Sequence, residues 1–277
     1  MQPAGHSTIG DVSEQQPGGS EIWTDDGGDL ANGFDHESSD GDDPIDTMPG
    51  DEVPILCGGD ASHYTLLALG EDANELSISA SVSIDGNIGA KHWVTSGPLT
   101  NVSGDITFPV SDTVIGDAIA LADEVAALQV SLWLPSFGDA TYTVDSGVSV
   151  YGVEEVIVPE DGSLTIDGPQ DSKLIVRVHG AFEFGDDATL ELTGGIEADN
   201  VLFVLVGTAP EGHEDRIGGG STFEGATILA PLRPVFLGSE GSETSDPVDF
   251  TGAVMAETVE VAPYSMLSGS PFGSCPF

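Results

Sequence analysis

One pattern, written three times, limits what this chain can fold into. A hydrophobe, any residue, Gly and a small apolar stretch ending in Ala recurs as Ile84-Asp85-Gly86-Asn87-Ile88-Gly89-Ala90, Phe223-Glu224-Gly225-Ala226-Thr227-Ile228-Leu229-Ala230 and Phe250-Thr251-Gly252-Ala253-Val254-Met255-Ala256. The last two copies start 27 residues apart, a period that belongs to stacked repeats. Gly allows a sharp corner, and the inward hydrophobes of one coil can stack on those of the next.

The sequence around the repeats reads as short strands. Leu76-Ser77-Ile78-Ser79-Ala80-Ser81-Val82-Ser83-Ile84, Thr141-Tyr142-Thr143-Val144, Ser163-Leu164-Thr165-Ile166 and Thr189-Leu190-Glu191-Leu192 alternate polar with apolar residues, the mark of half-buried strands. Val201 to Val206 is apolar throughout and reads as buried on both faces. One segment has a different period: Val114, Ala118, Leu121, Ala122, Val125, Leu128 and Leu132 recur at steps of three and four, with Ser111 or Asp112 as N-cap and Pro135 as the stop. A helix near 112–133, of about 20 residues and roughly 30 Å, would cover roughly six coils at a strand spacing of ~4.8 Å. The expected fold is all-β: a discontinuous β-solenoid (β-helix) of about seven or eight coils with one long α-helix packed lengthwise. A β-sandwich would leave the repeated Gly-to-Ala corner unexplained.

Residues 1–56 have another texture, with 14 Asp and Glu and no Lys or Arg. They are expected to form a disordered acidic tether, since such a stretch cannot bury enough apolar surface to offset its ordering entropy. Residues 57–277 form the expected solenoid domain. A calcium-loop reading at Asp35 fails, because Asp40 stands where the loop needs Gly and Asp46 where it needs Glu. Met1-Gln2-Pro3 has neither the basic nor the apolar stretch of a secretory signal.

Several segments resemble the ice-binding-protein-like β-solenoid family. They are His63-Tyr64-Thr65-Leu66-Leu67-Ala68-Leu69-Gly70, the first Gly-to-Ala copy, the single helix, Leu174 to Val178, Ala181 to Leu192, Gly195 to Phe203 and Ser221 to Ala230. They are similar as well to the choice-of-anchor A adhesin-type domains of bacterial surfaces. The likeness runs over about residues 60–272. It implies a discontinuous β-solenoid with a helix along one side, and it offers two activities: adhesion to a surface polysaccharide or matrix polymer, and ice binding.

Charge narrows the partners. With 48 Asp and Glu against 5 Lys and Arg, a formal charge of −43 excludes nonspecific binding to nucleic acid, whose phosphates need cations opposite them. No apolar run reaches the roughly 20 residues of a membrane-spanning helix, so no membrane insertion is expected. An acidic surface of this density suits high ionic strength, where screening cancels self-repulsion; diffuse calcium binding is the other reading of it. No other cofactor and no metal site is expected. His213-Glu214-Asp215-Arg216 lacks a second His, and no nucleophile elbow or phosphate loop is present. A solenoid carbohydrate-active enzyme, the third functional reading, would have to draw on Lys91, Lys173, Arg177, Arg216 or Arg233 for its cations.

These readings converge on a secreted or cell-surface, non-enzymatic binding and adhesion module, with ice binding as the alternative. An ice-binding face needs Ser, Thr and little charge. The candidates are Ser77, Ser79, Ser81 and Ser83, an unbroken alternate row on one face of the strand 76–84, with Thr141 and Thr143. Outward Glu155, Arg177, Glu183, Glu191 and Glu260 would disturb such a face. Cys57 and Cys275, one pair near the domain's ends, are expected to form a disulfide in an oxidising compartment.

Overall fold

All strand pairings are parallel in the computed structural model, which describes residues 58–71, 75–239 and 246–269. Parallel neighbours need crossovers, and here each crossover is a turn of a three-sided coil. On the first side the strands stack in nine layers. In spatial order these are Leu132–Gly138, Gly147–Val158, Ser172–Val178, Val201–Leu205, Thr222–Leu237, Asp249–Val261, Tyr64–Ala68, Asn87–Ala90 and Ile106–Thr107. The longer strands bend around corners and serve more than one side.

Chain order and layer order differ. The described chain enters at layer 7, climbs to layer 9, returns along the first side through a helix, and then climbs from layer 1 to layer 6. A seam joins its two ends: Leu66 in layer 7 lies in register with Val254 in layer 6. This is the discontinuous β-solenoid with a lengthwise helix that the repeats and the family resemblance imply.

The three Gly-to-Ala copies sit at one corner, two on successive coils and the third separated from them by the coil of Tyr64–Ala68. Phe223 pairs with Phe250, Ile228 with Val254 and Ala230 with Ala256, while Ala256 and Ala90 both pair with Ala68. Gly86, Gly225 and Gly252 occupy positive φ there, at 135°, 78° and 141°. Inside, the hydrophobes form ladders. Phe223 stacks on Phe250 with ring centroids 5.0 Å apart, and Phe184 and Phe203 approach Phe223 at 5.2 and 6.3 Å. Such side-chain ladders hold a sheet flat where strand twist would otherwise accumulate.

The helix spans Asp112–Ala127, and the Ser111 side chain accepts from the Val114 N–H at 3.4 Å. It buries Val114, Ile115, Ala118, Leu121, Ala122 and Val125. Their partners on the first side include Val150, Ile175, Leu202, Leu229, Met255 and Leu67, one from each of layers 2 to 7, so about six coils are covered. The helix is shorter than its 3–4 pattern suggests. Leu128 is already extended at φ −64°, ψ 147°, and Ser131 donates its N–H to the Val150 carbonyl at 2.8 Å. Leu132 therefore lies in the first layer of the sheet.

A second expectation is overturned: 76–84 is not one strand. Leu76–Ile78 lies on the second side and Ser83–Asp85 on the third. Ser79 to Val82 make the corner between them, with Ser81 at φ 61°. The acidic tail, Cys57 and Cys275 lie outside the described residues.

Candidate functional site

The third side is built from eight short strands, one per layer, most of them presenting a polar-apolar-polar step. Its inward column is Leu164, Leu190, Phe223, Phe250, Leu267 and Ile84, all buried. Alternation then forces the flanking residues outward.

Two outward columns result. The first reads Ser163, Thr189, Thr222, Asp249, Met266, Ser83 and Asn101 from layer 2 to layer 8. The second begins with Thr141, Thr165 and Glu191 in layers 1 to 3. It continues with Glu224, Thr251, Ser268 and Asp85 in layers 4 to 7. Thr143, Asp167 and Thr193 start a third column at the layer-1 end. Hydroxyls thus repeat at the inter-strand spacing of ~4.8 Å along the solenoid axis.

Local hydrogen bonds hold part of this surface in place. Thr251 Oγ1 and Ser268 Oγ are 3.0 Å apart across adjacent layers. Thr193 Oγ1 donates to Asp167 Oδ1 at 2.9 Å, and Ser103 Oγ donates to Asp85 Oδ1 at 2.5 Å. Asp85, Glu191, Glu224 and Asp249 are exposed carboxylates that interrupt the hydroxyl columns.

The structure disperses the serines of 77–83. Ser77 is on the second side in register with Glu260 and Thr95, Ser79 and Ser81 are at a corner, and only Ser83 joins Thr141 and Thr143 on the third side. It also relocates the charges that weighed against a weakly polar face. Glu155, Glu183 and Glu260 belong to the second side and Arg177 to the first. Of that set only Glu191 stands among the hydroxyls. Ser163, Thr165, Thr189, Thr222, Thr251 and Ser268 were missed as site residues. The signal for most of them is the tripeptide polar-hydrophobe-polar of Ser163-Leu164-Thr165, Thr189-Leu190-Glu191, Thr222-Phe223-Glu224 and Asp249-Phe250-Thr251, which shows only when coils are laid over one another.

The second side carries the charged chemistry. Arg216 Nε and Nη2 both donate to Glu183 Oε1, at 3.1 and 2.7 Å. The pair lines an open depression with Gly212, His213 and Glu214, and its one guanidinium is already engaged by a carboxylate. Arg233 is no ligand-facing cation. It is fully buried at the corner between first and second sides, where its side chain reaches four backbone carbonyls: Gly207 at 3.0 Å, Gly180 at 2.6 Å, Val206 at 2.6 Å and His179 at 3.4 Å. Asp215 Oδ1 completes the set at 3.4 Å and also accepts from the Phe182 N–H. Burial pushes the Asp215 carboxyl above its usual range, against the pull of Arg233, and pushes the guanidinium down. Lys173 and Arg177 share a strand and both are half-buried on the first side. Arg177 Nη1 donates to the Leu128 carbonyl just past the helix.

Among the described residues no group of three or more His, Cys, Asp or Glu is placed to hold a metal ion. No described helix is long and apolar enough to cross a membrane.

This nine-layer parallel solenoid, discontinuous in chain order and braced by one lengthwise helix, is similar in fold to several solved ice-binding proteins. The chain is similar to an ice-binding protein from an Antarctic biological consortium, with a TM-score of 0.59 and 17% identity over 78% of this chain and 90% of that one. It is similar also to a glycosylated ice-binding protein from an Arctic yeast, with a TM-score of 0.58 and 19% identity over 80% and 97%. A third is the DUF3494 domain of a Shewanella frigidimarina ice-binding protein, with a TM-score of 0.55 and 19% identity over 78% and 95%. At such identities the likeness establishes the fold. No family model and no curated protein matches the sequence.

Proposed function

We propose that this protein is a secreted, non-enzymatic ice-binding module, and that the third side is its ice-binding face. One observation carries the reading: the third side aligns Ser and Thr in register over successive layers of a parallel sheet, in columns interrupted by the carboxylates Asp85, Asp167, Glu191, Glu224 and Asp249. Hydroxyls and methyls held at a fixed repeat can order a layer of water that an ice surface continues, because bridging waters are held by fixed polar partners. Exposed carboxylates impose hydration shells of their own. Glu191 and Glu224, adjacent in the middle of the second column, therefore divide the face into two hydroxyl-rich halves. The likeness to three solved ice-binding proteins supports this choice over matrix adhesion.

The test is ice-crystal shaping and thermal hysteresis of the full chain, at low and at high salt. Faceted crystals and a measurable freezing gap are expected. Glu191→Thr combined with Glu224→Thr joins the two halves and should widen the gap. Round crystals with no gap, from a chain shown by circular dichroism to be folded, would overturn the proposal and return adhesion to a matrix polymer to first place.

A further inference from the structure

The acidic shell stops at the two ends of the solenoid. Residues 92–111, which form most of layers 8 and 9, contain one acidic residue, Asp105; residues 128–144, which form layer 1, also contain one, Asp139. Neither segment has a Lys or Arg, in a chain of 277 residues with 48 acids.

Apolar surface appears where the charge is missing. Among the described residues, six of the ten exposed large hydrophobics lie in these segments: Trp93, Leu99, Ile106 and Phe108 at one end, Leu132 and Trp133 at the other. Two of them continue the interior ladder. Ile106 is in register with buried Ile88 and is 51% exposed; Leu132 is in register with Tyr151 and is 43% exposed. Both occupy core positions that lack a next layer.

The backbone is open at the same places. Among the described residues, Val94–Ser96, Asn101–Val102 and Ile106–Thr107 pair on one edge only, with layers 7 and 8. Among the described residues, Leu132–Gly138 and Ala140–Thr143 likewise pair on one edge only, with layer 2. An open strand edge is a template for another strand, and soluble proteins usually block it with charge. This chain has charge in abundance and places almost none of it there.

We propose that the two ends are a heterologous interface on which a second copy of this chain stacks head to tail, layer 1 of one copy on layers 8 and 9 of the next. A second copy is the occupant because its layer 1 has the same three-sided cross-section and strand direction as the layer it would cover. The junction then continues the parallel ladder and covers Ile106 and Leu132 together. Head-to-tail contacts do not close on themselves, so stacking is open-ended. The net charge opposes it at low ionic strength, where fields reach ~10 Å at about 0.1 M salt, and ceases to do so at about 1 M, where they reach ~3 Å. The inference does not depend on the ice-binding reading, although stacked copies would lengthen the third side.

Sedimentation velocity of the full chain at about 1 M salt, over a range of protein concentrations, tests it. The expected result is a concentration-dependent series of dimers and longer species that collapses to monomer at low salt. Ile106→Glu and Leu132→Glu each block one end, at exposed positions that leave the fold intact by circular dichroism. Each alone should be monomeric, and an equimolar mixture should form a heterodimer through the two unblocked ends. A wild-type chain that stays monomeric when folded at high salt would overturn the proposal. So would a discrete dimer that does not grow, or a mixture of the variants that fails to pair.

Discussion

Replacing Arg233 by Met is the sharpest test of how the coils are held at the corner between the first and second sides. The guanidinium makes its bonds to the carbonyls of His179 and Gly180 in layer 3, to those of Val206 and Gly207 in layer 4, and to Asp215. Met fills similar volume and supplies no donor. The variant leaves a carboxylate with 0% exposure and no cation beside it, and it leaves four carbonyls to find water. Removing one partner of a buried pair costs about 3–5 kcal/mol, a large fraction of the roughly 5–15 kcal/mol that holds a domain folded. At about 2–4 °C per kcal/mol for a domain of this size, the melting midpoint should fall by roughly 6–20 °C. Thermal unfolding followed by far-ultraviolet circular dichroism reads this directly. Arg233→Met with Asp215→Leu should lose less than the two single changes summed, because neither charge is then stranded. A midpoint shift under about 2 °C for Arg233→Met would refute the reasoning, since the clamp would then contribute less than about 1 kcal/mol.

Other outcomes follow from the same geometry. Because burial raises the Asp215 pKa, its contribution to stability is fully present below the unfolded value near ~3.9 and is lost as pH rises through the higher folded value. Acidification should therefore widen the stability advantage of wild type over Asp215→Asn; a narrowing difference in urea titrations would show that Arg233 outweighs burial. Gly252→Ala should cost more than about 1 kcal/mol, because φ is 141° and a Cβ would collide with the Ala226 carbonyl oxygen. Gly116→Ala, in the exposed middle of the helix with open space around it, should instead gain about 1 kcal/mol. Equal midpoints for these two variants would contradict the assigned corner.

The fold was legible where one residue type had one physical use. Gly at a positive-φ corner followed by inward hydrophobes repeats because the corner repeats, so Gly225 and Gly252 announced the coil. The helix was legible through Val114, Ala118, Leu121 and Val125, although Leu132 extended its pattern by coincidence into the sheet. Layer order was not legible. Nothing in the residues says that Tyr64–Ala68 seats beside Asp249–Val261, because that pairing is set by the helix carrying the chain back to the far end. The site was half legible for a related reason. Thr141 and Thr143 were visible as alternating hydroxyls, but Ser77 to Ser83 looked like one row because the corner at Ser81 carries no Gly to mark it. The hydroxyl columns run across the strands, so their members lie one coil apart in sequence and appear only once register is known. Arg233 was counted among the cations open to a substrate, and its burial was not legible, because its acceptors are backbone carbonyls, which no side-chain motif records.

Partition of the protein into a slowly growing ice surface, compared among face variants, tests the central claim most directly. Thr165→Lys and Thr251→Lys place a cation within the second column of the third side, and Thr95→Lys places one on the second side at the same strand spacing. The account predicts that wild type and Thr95→Lys enter the ice while the two third-side variants stay in the liquid. Exclusion of folded wild type from ice, or equal incorporation of all four proteins, would contradict it.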